Sequence, residues 1–175
     1  DMTERTEKRV QTITKQFEAM IPRNLLEVQR MGFRLKKIGD GVYRQVYKIE
    51  GVPLVVKIPG GDAFPVGCRR HARSEYRTVK RIHRYKKFAQ LRKYMPRIYY
   101  FDNKSGLMLM HYYSVPTRYK IAISNLLSLV VKLIWPNTAS SECDVHGANI
   151  GMDEYDQPVL IDLGYFTNNG GQDDW

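Results

Sequence analysis

Five stretches of this 175-residue chain carry residue types that handle phosphate and hard cations. The first is Ile38-Gly39-Asp40-Gly41. Two glycines one residue apart let the backbone turn tightly and approach a ligand, so that N–H groups can meet phosphate oxygens. A plain hairpin turn uses the same residues. No Gly-Lys-Ser/Thr sequence and no immediate helix follow the glycines, which excludes a Walker loop and a dinucleotide-binding turn. The second is Lys57 within Leu54-Val55-Val56-Lys57-Ile58. A lysine among such neighbours either needs an anionic partner or guards a sheet edge against aggregation.

The third is Glu75, the one acid between Arg69 and Arg97. Ala72, Glu75, Tyr76, Val79 and Ile82 follow helical spacing, so Glu75 is expected to face inward. Lys57 is a candidate partner for it, and its own helix neighbours are another. The fourth stretch is Asp144-Val145-His146-Gly147-Ala148-Asn149, an acid and an amide five positions apart in a loop that leads into a strand. The fifth is Val159-Leu160-Ile161-Asp162-Leu163-Gly164, with an acid at the exit of a buried strand. Asp162 follows Asn149 by 13 residues, the length of a hairpin. Such a hairpin would bring two oxygen donors together for a hard cation such as Mg²⁺. A rival set is Cys68-x-x-His71 with Cys143-x-x-His146, the ligand count of a tetrahedral zinc site.

These groups need a frame. Residues 1–31 read as helix, with Val10, Ile13, Phe17 and Met20 at helical spacing and Pro22 as a break. Phe33 to Ile38, Gln45 to Glu50 and Leu54 to Ile58 read as strands, the last two joined at Glu50-Gly51. Alternation along the third puts Val55 and Lys57 on one face and Leu54, Val56 and Ile58 on the other. Gly60, Gly61, Pro65 and Gly67 mark a loop, and Arg70 to Tyr85 a helix. Arg97 to Phe101 and Leu107 to Tyr112 form a second strand pair. Ile121 to Trp135 is expected to be a buried apolar helix ended by Pro136, and Pro158 to Asp162 a final strand. The expected class is α+β with an antiparallel sheet.

Taken in order, Gly39-Asp40-Gly41, Lys57, Glu75, Asp144 with Asn149, and Asp162-Leu163-Gly164 resemble the signature of the protein-kinase-like superfamily. The likeness spans Phe33 to Gly164. Gly-x-Gly with Tyr43 and Tyr47, and Asp-x-His-x-x-Asn-Ile, look most like the early serine/threonine kinases of short-tailed coliphages; the compact Rio-type kinases are a second likeness. The resemblance implies a helical arm at 1–32, a kinase-like N-lobe of five antiparallel strands and one helix at 33–113, and a heavily reduced C-terminal lobe at 114–175. It implies ATP and Mg²⁺ as cofactors. Gly39 and Gly41 would cover the phosphates, Lys57 would hold them and Glu75 would steady Lys57. Asp144 would accept or orient the substrate hydroxyl proton, and Asn149 and Asp162 would bind Mg²⁺. The hinge beside adenine would run from Met110 through Tyr112 to Ser114.

The departures from that pattern are specific. Arg44 replaces the third glycine, Glu142-Cys143 stands before the catalytic aspartate, and Leu163 replaces a phenylalanine. Thirteen residues follow Asp162, so no activation segment and no large helical lobe are expected. The implied function is a minimal ATP-dependent serine/threonine kinase, phage-encoded and acting on host proteins. A small-molecule phosphotransferase and a non-catalytic binder of nucleic acid or host protein are the alternatives.

Charge adds a partner. The chain has 28 Lys and Arg against 18 Asp and Glu, a net charge of +10. Twelve of the 28 fall between Arg69 and Arg97, where Glu75 is the one acid. That segment is expected to attract an acidic protein substrate or nucleic acid, or to be a solvated face. No apolar run approaches the roughly 20 residues of a membrane span, and the first twenty residues have no signal-like apolar core. Two cysteines make no disulfide framework, so a reducing, cytoplasmic setting is expected, that of the host for a phage protein.

Overall fold

The structure is a computed structural model and describes residues 3–41, 43–60, 65–136 and 149–162. The described residues divide into two compact units, one from Asp1–Arg73 with Arg97–Tyr112 and one from Ser74–Pro96 with Tyr113–Trp175.

The first unit opens with α1 (Glu4–Met20). The Thr3 side chain caps it by accepting from the Thr6 N–H at 3.2 Å, and Glu4 and Glu7 complement the helix dipole. Val10, Ile13 and Phe17 form its buried stripe. After Pro22, Asn24 caps α2 (Leu25–Arg30) by accepting from the Glu27 N–H at 2.9 Å. A five-stranded antiparallel sheet follows, built from β1 (Leu35–Asp40), β2 (Arg44–Ile49), β3 (Leu54–Pro59), β4 (Ile98–Phe101) and β5 (Met108–His111). Their order across the sheet is β1-β2-β3-β5-β4. Positive φ at Gly51 (78°) closes the turn between β2 and β3, and Arg9 of α1 donates to the Gly51 carbonyl at 3.1 Å.

Alternation along the strands divides the sheet faces. Leu54, Val56 and Ile58 of β3 join Leu109 of β5 in one core with Val10, Ile13 and Phe17 of α1 and Val28 of α2. Phe17 lies 5.7 Å from the Tyr100 ring and 5.9 Å from the Phe33 ring. Val55, Lys57, Met108 and Met110 point to the other face, and all four are buried.

Helix α3 (Pro65–Arg84) has 20 residues and starts five positions before the expected Arg70. Pro65 and Gly67 read as loop signals, but proline has no N–H to lose in a first turn and its φ already suits a helix. The inward stripe of α3 is Cys68, Ala72, Glu75, Val79 and Ile82, all buried.

In the second unit an unforeseen 3-10 helix, Lys86–Tyr94, buries Phe88 and Leu91 and packs against α4 (Lys120–Ile134) and β7 (Pro158–Leu160). β7 pairs with β6 (Ile150–Met152) as a two-stranded antiparallel hairpin. The expectation of a buried α4 holds on one side of the helix only. Ile123, Leu127, Val130, Val131 and Ile134 are buried, while Leu129 (61% exposed) and Leu133 (62%) face outward. Apolar residues on every side of a helix say nothing about how many sides acquire neighbours; here the 3-10 helix and β7 supply them on one side. Among the described residues no helix is long and apolar enough to cross a membrane.

Candidate functional site

In the first unit the glycine turn is the tip of the β1–β2 hairpin. Gly39 and Asp40 belong to β1 itself, and the Gly41 N–H donates to the Arg44 carbonyl at 2.9 Å. A bulge between Lys37 and Gly39 sets the register. From there Gly39 pairs with Val46, Val46 with Lys57, and Lys57 with Met108. Residues directly opposite each other in a ladder share a face. Gly39 and Lys57 therefore lie in one row on one face, separated by Val46, two strand spacings or about 10 Å apart. One step along the strands, Val55 pairs with Met110 on that same face. Alternation places Val55 and Lys57 together, but nothing in the sequence marks Val46 as lying between Gly39 and Lys57. Only the register does so.

Lys57 is 4% exposed. Its surroundings are apolar on its own strand, so holding its charge there favours an anion close by. Asp40 pairs with Lys37 through a 2.7 Å hydrogen bond on the exposed rim, and that partner raises the Lys37 pKa. Tyr43, just past the glycines, stacks on His71 of α3. Met110 is buried on β5, while the Tyr112 N–H donates to the Pro53 carbonyl at 2.9 Å and its ring lies 5.2 Å below the Lys48 ammonium. The Tyr112 N–H is thus already engaged.

In the second unit Glu75 is 0% exposed, in the inward stripe of α3. The β6–β7 hairpin positions Asn149 and Asp162. Ile150 pairs with Leu160, and the Ile161 N–H donates to the Asn149 carbonyl at 3.0 Å. Asn149, buried, and Asp162, half-buried, therefore flank the open end of one hairpin. Gly151 makes this approach feasible, since a Cβ there would lie 2.5 Å from Tyr113 Cβ and 2.8 Å from Ile161 Cγ2. Ser114, at the end of the expected hinge, exchanges two backbone hydrogen bonds with Met152, 3.0 and 2.8 Å long.

An amide and a carboxylate at the end of a hairpin suit a hard cation that keeps waters or phosphate oxygens as its remaining ligands. Among the described residues no three or more His, Cys, Asp or Glu gather as a metal cluster. For the rival zinc set, Cys68 is buried and His71 is engaged with Tyr43. Cys143 and His146 lie outside the described residues, as do Asp144, Leu163 and Gly164.

No protein-family model matches the chain. No curated protein matches it either.

Proposed function

We propose that this chain is an ATP- and Mg²⁺-dependent phosphotransferase of protein-kinase-like architecture that phosphorylates serine or threonine in proteins. The observation that carries this reading is the row Gly39–Val46–Lys57, which sets a glycine turn and a buried lysine on one sheet face. The backbone at Gly39 and Gly41 would lie over phosphates, and Lys57 would neutralise them. Glu75 would hold Lys57 extended. Val46, Val55 and Met110 give that face an apolar surface beside which a base would lie. Asn149 and Asp162 would hold Mg²⁺, which when bound offsets phosphate charge as the phosphoryl group moves. Asp144 would orient the acceptor hydroxyl. Catalysis in such a site is mostly positioning and charge neutralisation.

The test is incubation of the full chain with radiolabelled ATP, Mg²⁺ and a bacterial extract, beside Lys57→Met and Asp162→Ala. Labelled protein with the wild type, and background with both variants at unchanged melting temperature, supports the proposal. Wild-type labelling with Asp162→Ala rejects it.

A further inference from the structure

The stretch Ser74–Pro96 of the second unit carries eight Lys and Arg, and its one acid, Glu75, is wholly buried. The charge that faces solvent is therefore of one sign. Lys80 and Arg84 are exposed on α3, and Lys86, Lys87 and Lys93 are exposed on the 3-10 helix that follows. Among the described residues none of these five is in an ion pair. Arg92 is spent internally, its Nε donating to the Ile82 carbonyl near the end of α3 at 3.3 Å.

The aromatic rings of this stretch narrow the partner. All four have a cation of the same stretch against them. Lys80 lies 5.4 Å from Tyr76, Arg81 and Arg84 lie 6.0 and 5.7 Å from Tyr85, Lys87 lies 4.9 Å from Phe88, and Lys93 lies 5.2 Å from Tyr94. Phe88 is buried in addition. Single-stranded nucleic acid is gripped by bases stacking on open rings. Here the rings instead anchor cation stems and hold their charged heads in place. Fixed cationic heads of this kind suit carboxylates, although the Tyr85 ring remains exposed. The field is felt at His83, whose pKa is lowered by burial and then by Arg92 and Lys80.

We propose that Lys80, Arg84, Lys86, Lys87 and Lys93 form a docking surface for an acidic peptide segment of the protein substrate. The term substrate rests on the phosphotransferase reading; the docking itself does not. Lys80 and Arg84 sit one turn apart, so their heads are spaced by about 6 Å along α3, close to the repeat of same-side residues in an extended acidic peptide.

The experiment uses the full chain and a fluorescent octaglutamate peptide, with single-stranded and duplex DNA of equal charge as competitors, at about 20 and about 150 mM salt. Saturable peptide binding that weakens with salt, and falls at least about tenfold in Lys80→Glu/Arg84→Glu/Lys87→Glu, is expected. The α1 control Lys8→Glu/Lys15→Glu should bind as the wild type does. On peptide binding the His83 imidazole pKa, read by NMR, should rise as the added carboxylates offset Lys80 and Arg92. Unchanged binding in the triple variant at an unchanged melting temperature overturns the proposal. So does either DNA competing more tightly than the peptide. If peptide binds while no phosphorylation is found, the phosphotransferase reading fails and the docking surface stands. If phosphorylation is found without peptide binding, the reverse holds.

Discussion

Tyr43 lies flat on His71, the two rings within 4° of parallel and their centroids 4.4 Å apart. One ring belongs to the tip of the β1–β2 hairpin and the other to α3. The tip is further fixed by the Gly60 N–H, which donates to the Tyr43 carbonyl at 3.0 Å. The glycine turn is thus held from its side-chain and its backbone flank. His71→Ala should cost about 0.5–1.5 kcal/mol of stability, the usual range for a ring pair. Hydrogen exchange should quicken at Gly41 more than in β3. His71→Phe, which can keep the stack, should restore most of the protection.

Gly151→Ala is expected to destabilise the chain by about 1–3 kcal/mol, the range for forced overpacking, and more if the hairpin cannot shift. Tyr113 Cβ and Ile161 Cγ2 occupy the space a methyl group needs. Urea denaturation of the variant measures the loss.

Helix α4 offers an internal control. Leu127→Ala, at a fully buried position, should cost about 2–5 kcal/mol. Leu129→Ala, two positions on and outward-facing, should fall within about 0.5 kcal/mol of the wild type. Equal losses in paired thermal melts would contradict the one-sided packing.

Asp102 gives a pH signature. Burial opposes its ionisation, but the Ser105 hydroxyl and the Ser105 and Lys104 backbone N–H groups donate to it, and Arg23 lies 3.7 Å away. Together these hold the carboxyl below its ordinary pKa of 3.8. A depressed carboxyl contributes stability above its unfolded pKa and loses it as pH falls through the folded one. Ser105→Ala should therefore lower stability near neutrality by about 1 kcal/mol. It should also flatten the fall of stability below pH about 4. Denaturation curves across that range provide the check.

Much of this frame was legible beforehand. β3 and β5 announce themselves as short apolar runs between turn residues, and the inward place of Glu75 follows from its spacing with Ala72, Val79 and Ile82. Three things were not legible. The start of α3 was hidden because Pro65 and Gly67 also mark loops. The 3-10 helix was hidden because Lys86 to Tyr94 offers two buried residues, Phe88 and Leu91, among four cations. The row through Gly39, Val46 and Lys57 was hidden because register belongs to pairs of strands, and a bulge beside Gly39 helps to fix it.

That row has a consequence for how the site can vary. The separation of the glycine turn from Lys57 is counted out in whole strands and whole residues, so it is quantised. Side-chain repacking can tilt Lys57 but cannot move it gradually along the ladder. Deleting one residue between Ile49 and Leu54 either strains the turn or slips β3 by one position, and that slip sets Ile58 opposite Val46 in place of Lys57. The distance is a ruler with fixed marks, and its intermediate values are closed to the chain.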